Sequence, residues 1–303
     1  MLERSSIFTY FAVVEAFASH TCNALKAKNK ETMNIVEISG STARQMFQYA
    51  LYMALLKRDP HTLVNPAGAS WIKSRFGQLR YIQATAQQLK PYGMHSRLGR
   101  LAARLVRPKG RIVTDPAGGG FDPGVLDLDG CYLQGQWLSP RYFAGIEDGV
   151  RKAFAVTDRM LPAQSRGLLR SLAKPGCTAM LVSDPQAGGA TADFYNWAVA
   201  NVLSSIGKAN FMVFTTDPDW VRANINFQGA EAHTAAYPIA NEATVMAYLM
   251  RASHCITGPS LNGWWGAWLN PDPDRIVIVP EGWSKTDPKP DLIPRNWTTI
   301  PLT

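Results

Sequence analysis

From Thr178 to Val279 the chain alternates short apolar runs with stretches of helical pattern, and this order constrains the fold more than any other feature. Residues 178–183, 210–214, 232–237, 254–257 and 275–279 read as strands, and 191–206, 218–224, 242–252 and 262–269 read as the helices between them. Nearly continuous apolar strands alternating with helices are the pattern of a parallel sheet covered on both faces. A doubly wound α/β sheet is therefore expected. In such sheets ligands sit beyond the carboxyl ends of the strands, where the next helix begins. There the free backbone N–H groups and the positive end of the helix dipole favour phosphate.

A second unit of the same kind opens at Ile35. Ile35-Val36-Glu37-Ile38 reads as a strand, Ser39 to Arg44 as a turn of mostly small residues, and Gln45 to Leu56 as a helix apolar nearly all round, hence buried. Lys57 and Arg58 suit the helix C-terminus, and Asp59-Pro60 ends it. Near the other end of the chain, Trp264-Trp265-Gly266-Ala267-Trp268-Leu269 follows the turn Gly258-Pro259-Ser260. Two readings of its tryptophans stay open: they pack a core, or they line a ligand site at a helix start.

Gln45–Ala50 reads QMFQYA and Trp264–Leu269 reads WWGAWL, and in both the chain resembles glycosyltransferase family 11, the α-1,2-fucosyltransferases and their bacterial relatives. Three further segments are similar in the same order: Gly135–Phe143, Phe214–Trp220 and Asp291–Trp297. The resemblance runs from about Met33 to the C-terminus. It implies two Rossmann-like domains facing a cleft, the GT-B arrangement. Residues 1–32 would be an N-terminal extension, 33–160 the acceptor-side domain and 161–303 the donor-side domain, each with its own core. The implied reaction is inverting transfer of fucose from GDP-fucose to an acceptor glycan, with no metal and no other cofactor. Carried over by position, Gly40, Arg44 and Gln45 would line the donor site from the first domain. Thr216, Asp217, Ser260 and Trp264 would do so from the second, with Gly188 and Gly189 as further donor-side candidates where the chain departs from the family. No residue stands out as a general base. Asp217 has a second role open to it, as the cap of the helix that follows.

The chain also departs from the family. His-x-Arg-Arg-Gly-Asp, whose arginine is taken to hold the diphosphate, is absent; after Ser183 comes Asp184-Pro185-Gln186-Ala187-Gly188-Gly189. Backbone N–H groups of Gly188-Gly189 and the guanidinium of Arg44 are the candidate replacements, since a guanidinium fork matches phosphate oxygens. Two alternatives to fucosyl transfer stand beside it. One is a catalytically inactive descendant that binds a glycan or serves as an accessory protein. The other is a transferase with a different nucleotide-sugar donor.

Composition excludes little. The 303 residues are 46% hydrophobic and 18% charged, which rules out global disorder. The net charge of +8 invites a nucleic-acid reading, but no basic-aromatic recognition motif is present. Part of the excess falls on Arg97, Arg100, Arg104 and Arg107, which share one face of an expected helix over 96–107. Such a helix suits either a solvated face above an apolar contact or peripheral contact with an anionic membrane. A cytoplasmic protein is the expectation, and the family resemblance adds peripheral attachment to the inner membrane face as the second reading. No stretch is long and apolar enough for a transmembrane helix, and Glu15 interrupts the apolar run Ser6–Ala18. Met33 is a candidate initiator. The four cysteines lack zinc spacing; Cys177 and Cys255 are expected as buried thiols, which favours a reducing compartment.

Overall fold

The apolar runs become two parallel sheets. A computed structural model describes residues 33–67, 73, 76–94, 96, 109–116, 119–157, 160–161, 165–183, 189–236, 242–284 and 288–302. The expected N-terminal extension and all of the expected basic helix except Ser96 lie outside the described residues. The first sheet contains β1 (Ile35–Ile38), β2 (Leu63–Pro66), β3 (Arg111–Thr114) and β4 (Cys131–Gln134), in the order β2-β1-β4-β3. The second contains β5 (Cys177–Val182), β6 (Asn210–Thr215), β7 (Glu231–Ala236), β8 (His254–Thr257), β9 (Val277–Pro280) and β10 (Thr298–Ile300), in the order β10-β9-β8-β5-β6-β7. Every neighbouring pair is parallel. The α/β class is as expected.

The connecting helices are α1 (Thr42–Arg58), α2 (Ala86–Leu89), α3 (Glu147–Ala153), α4 (Ser165–Leu172), α5 (Ala192–Ile206), α6 (Pro218–Asn224), α7 (Glu242–Arg251) and α8 (Leu261–Trp268). Three expectations change. The helix expected over Ser139–Phe154 is a 3-10 turn, Pro140–Phe143, followed by α3; Gly145 between them has φ +81°, which an α-helix does not accommodate. The polar connection Asp158–Gly176 contains α4, whose Leu169 and Leu172 are buried against the core. The strand expected from Arg275 starts at Val277, because the Arg275 guanidinium is buried and donates to Ala267 O at 2.8 Å and to Leu249 O. It thereby satisfies the carbonyl ends of α7 and α8 together, where helix dipoles favour a cation.

Two cores were expected, one per domain; the structure joins the two sheets through one. Val36, Ile38, Val64 and Leu133 from the first sheet and Ala179, Leu181, Cys255 and Val279 from the second belong to a single apolar cluster, with α1, α7 and α8 contributing. On its other face the second sheet packs Met180, Val182, Val213 and Ile256 against Phe194, Ala198, Val199 and Val202 of α5. The centre of the shared core is aromatic. Phe47 of α1 has its ring centroid 4.7 Å from both Trp264 and Trp265 of α8, and Phe143 stacks on Trp265 at 5.9 Å. Rings of this size dominate core energetics, and tilted contacts at such distances add to their burial.

Candidate active site

The strand orders locate two places where ligands could bind. In the first sheet the chain leaves β1 toward β2 on one side, while β4 lies on the other; the crevice belongs beyond the carboxyl ends of β1 and β4. In the second sheet the same reasoning selects the ends of β5 and β8.

Beyond β1 lies the turn Ser39-Gly40-Ser41, with Gly40 at φ +84°. Gln45 reaches back and donates from Nε2 to Gly40 O at 2.7 Å, so its buried amide braces the turn. Gln48 spans the crevice: its Oε1 accepts from Ser39 N–H at 2.8 Å and its Nε2 donates to Gly135 O at 2.7 Å, beyond β4. Arg44, in the first turn of α1, is exposed and has no hydrogen-bond or ion-pair partner among the described residues. Its stem lies over Gly40, where an added Cβ would stand 3.4 Å from Arg44 Cδ. A cation at a helix N-terminus opposes the dipole, and no acidic residue offsets it in that turn. An anion bound at the turn would remove the conflict.

Beyond β8, Gly258 lets two turns approach closely. A Cβ there would fall 2.6 Å from Tyr195 Oη and 3.0 Å from Ser183 Oγ, the residue just past β5. Ser260 caps α8, its Oγ accepting from Gly263 N–H at 3.2 Å. Ser183 Oγ and Asn262 Oδ1 are buried and have no hydrogen-bond partner among the described residues. Buried polar atoms are nearly always paired, so these two mark a place for ligand groups or water. Sequence reasoning offered Ser260 or Asn262 as the cap of α8, and Ser260 takes that role; it passed over Ser183 and Gln48 as site residues. A lone serine carries no pattern.

The other expected residues are placed as follows. Asp217 caps α6, its Oδ1 accepting from Trp220 N–H at 2.9 Å; it and Thr216 are exposed at the end of β6, beside β5. Gly189 is half-buried ahead of α5, and Gly188 lies outside the described residues. Trp264 is fully enclosed, and its Nε1–H donates to Leu292 O at 2.8 Å. Its neighbour Trp265 donates to Ala43 O at 2.9 Å, at the start of α1. The tryptophans thus serve the packing reading, and the QMFQYA and WWGAWL motifs are the two halves of one contact. Through it the turn bearing Arg44 is held against the helix that starts at Ser260. Among the described residues no three His, Cys, Asp or Glu side chains gather as metal ligands. Cys131, Cys177 and Cys255 are buried free thiols. No helix among the described residues is long and apolar enough to cross a membrane.

Residues 190–300, from two residues before α5 to the end of β10, match the model of glycosyl transferase family 11. Over this region the chain is similar to that family. The matched stretch includes Thr216, Asp217, Ser260 and Trp264 and stops short of Gly40, Arg44 and Gln45. The O-antigen biosynthesis glycosyltransferase WbnK of Escherichia coli is 26% identical over 114 residues, which span 36% of this chain and 36% of that protein. The chain therefore aligns with about a third of that relative's length. Among solved structures, a glycosyl transferase family 9 protein of Veillonella parvula superposes with a TM-score of 0.47 at 11% identity, over 90% of this chain and 88% of that one. ADP-heptose LPS heptosyltransferase II of Escherichia coli gives 0.41 at 14%, over 88% and 89%. NodZ α-1,6-fucosyltransferase soaked with GDP-fucose gives 0.42 at 11%, over 84% and 96%.

Proposed function

We propose that this protein is a nucleotide-sugar glycosyltransferase of the α-1,2-fucosyltransferase type. It would transfer fucose from GDP-fucose, with inversion, to a hydroxyl of an acceptor glycan. The observation that carries the reading is a pair of buried oxygens, Ser183 Oγ and Asn262 Oδ1, without a hydrogen-bond partner among the described residues. They flank the Gly258–Ser260 turn at the switch point of the second sheet, whose β6 to β10 fall in the matched stretch. A ribose or sugar hydroxyl can donate to Asn262 Oδ1, and Ser183 Oγ–H can donate to a phosphate oxygen. The leaving diphosphate needs positive potential, which the N-terminus of α8 and the Arg44 guanidinium would supply.

Calorimetric titration with GDP-fucose, GDP, and UDP- and dTDP-sugars tests this directly. The expected result is GDP-fucose binding that Arg44→Ala weakens by about 1.5–3 kcal/mol, the contribution of a hydrogen bond to a charged group. Selective binding of another nucleotide sugar would keep the transferase and replace its donor. No binding to any of them would overturn the reading and favour an accessory role. The proposed site of action is the inner membrane face, tested by sedimentation with anionic vesicles.

A further inference from the structure

The carboxyl ends of β1, β2 and β4 carry a buried polar cluster that the donor-side reading leaves unused. Glu37 is only 8% exposed, and no ion pair reaches it among the described residues. Its Oε2 accepts two hydrogen bonds, from Tyr132 Oη–H at 2.7 Å and from Gln134 Nε2 at 3.0 Å. Tyr132 Oη in turn accepts from Asn65 Nδ2 at 2.7 Å, so the tyrosine's own proton is committed to Glu37. The other oxygen, Oε1, accepts one bond among the described residues, from Ser39 Oγ–H at 3.1 Å. Asn65 and Tyr132 lie on the two strands that flank β1, Asn65 opposite Glu37 and Tyr132 opposite Ile35, two residues before Glu37 on the same face. They face away from the core, which takes Val36, Val64 and Leu133 instead.

Burying a carboxylate without a cation is costly, and packing does not require it here. A glutamine of the same shape would keep its carbonyl oxygen beneath Tyr132 and Gln134 and offer its amide to Ser39. The charge therefore answers to something outside the cluster. Ser39 and Gln134 are the half-exposed members, and Oε1, with a lone pair to spare, is on the Ser39 side. Ser39 begins the turn whose other flank is covered by Arg44. A proton acceptor and an unpaired cation thus border one three-residue turn, and glycosyl transfer to a hydroxyl needs both.

We propose that Glu37 is the general base that accepts the proton of the acceptor hydroxyl, with Tyr132, Asn65 and Gln134 as positioning residues that leave Oε1 free for it. This rests on the transferase reading above. In the step, the acceptor oxygen forms a bond to C1 of the donor sugar as the bond from C1 to the diphosphate oxygen breaks. The bonding pair departs with the nucleoside diphosphate beside Arg44, and the hydroxyl proton passes to Glu37 Oε1, directly or through Ser39 Oγ. Solvent then takes the proton from Glu37. Two hydrogen bonds on Oε2 prevent the carboxylate from rotating between its oxygens, which keeps Oε1 toward the turn.

The test measures transfer by the full chain with a saturating nucleotide sugar and a panel of galactose-terminated acceptors. Glu37→Gln is expected to bind the donor as the wild type does and to keep its melting temperature. It should lower kcat by about 10²–10⁴-fold with little change in donor KM. Ser39→Ala, at the rim, is expected to lower kcat about tenfold and to fold normally. Tyr132→Phe frees Oε2 of one bond and is expected to lower kcat less than Glu37→Gln. Transfer by Glu37→Gln within threefold of wild type would overturn the inference and leave the transferase reading intact. Should Glu37→Gln not fold, full activity in both Ser39→Ala and Glu37→Asp would overturn it equally. A wild type that neither binds a donor nor transfers would overturn both.

Discussion

Gly263 sits inside the tryptophan motif, in the first turn of α8, and the structure says why a glycine is needed in a helix. A Cβ at this position would lie 2.0 Å from Thr257 Oγ1 on β8 and 3.0 Å from both Thr257 Cβ and Leu181 Cδ2. Thr257 is fully buried and its hydroxyl donates to Gly258 O at 3.0 Å, so it cannot simply turn aside. Gly263→Ala gains about 1 kcal/mol of helix propensity. Overpacking in a filled core costs about 1–3 kcal/mol, and a contact more than an ångström too short belongs at the top of that range. The expected net effect is destabilisation by about 1–2 kcal/mol. It is read as a lower denaturation midpoint at unchanged slope, followed by the fluorescence of the adjacent tryptophans. Thr257→Ala removes the obstructing oxygen. The double variant should therefore be more stable than the sum of the singles by about 1 kcal/mol, since residues in contact couple. A Gly263→Ala protein as stable as wild type, or a strictly additive double variant, would refute the close approach of α8 to β8.

Two further predictions concern the same region. Arg275→Met leaves the Ala267 and Leu249 carbonyls buried without their donor, and it should lower stability by about 2–4 kcal/mol; an unchanged melting temperature would deny the guanidinium its capping role. His254 has its pKa held below the usual 6.5, chiefly by burial and then by the Arg275 charge, and its Nδ1 accepts from Ile276 N–H at 3.1 Å. Between that lowered value and the ordinary one the unfolded chain binds more protons. Stability is then full above about pH 6.5 and falls as pH drops toward the folded value. Denaturation at pH 7.5 and 5.5 should show a smaller loss in His254→Gln than in wild type; equal losses would refute the assignment.

The alternation of apolar runs and helices was sufficient to read β5 to β9, because the central strands β5, β8 and β9 are almost wholly buried; β10, with Thr299 exposed, was not read. The strands β3 and β4 were not legible. Arg111–Thr114 has exposed ends, and Tyr132 and Gln134 send polar groups to Glu37. Neither carries the continuous apolar signal that period alone can detect. The break at Gly145 and the helix α4 were missed for a related reason. A single glycine at positive φ divides a pattern that otherwise favours helix, and two buried leucines are too few to reveal an amphipathic face.

The candidate site divides in the same way. The residue types of the turns, Gly40 and Arg44 at one and Ser260 at the other, stood in the chain where strand meets helix, so their location followed from sequence and parallel topology alone. The alternation of apolar runs and helical stretches likewise determined the α/β class, and the two conspicuous aromatic motifs stood in the chain as written. Only the tertiary structure decided what those motifs do. Trp264 and Trp265 turn their faces to Phe47 and their indole N–H groups to Leu292 and Ala43. They sit at the centre of the apolar core that the two sheets share. Only the fold, likewise, brought Glu37 to Tyr132 across 95 residues and left Ser183 Oγ and Asn262 Oδ1 without a partner among the described residues at one turn. A hydrogen-bond partner far along the chain leaves no periodic trace in sequence. Pairing of buried polar groups is a property of the packed molecule.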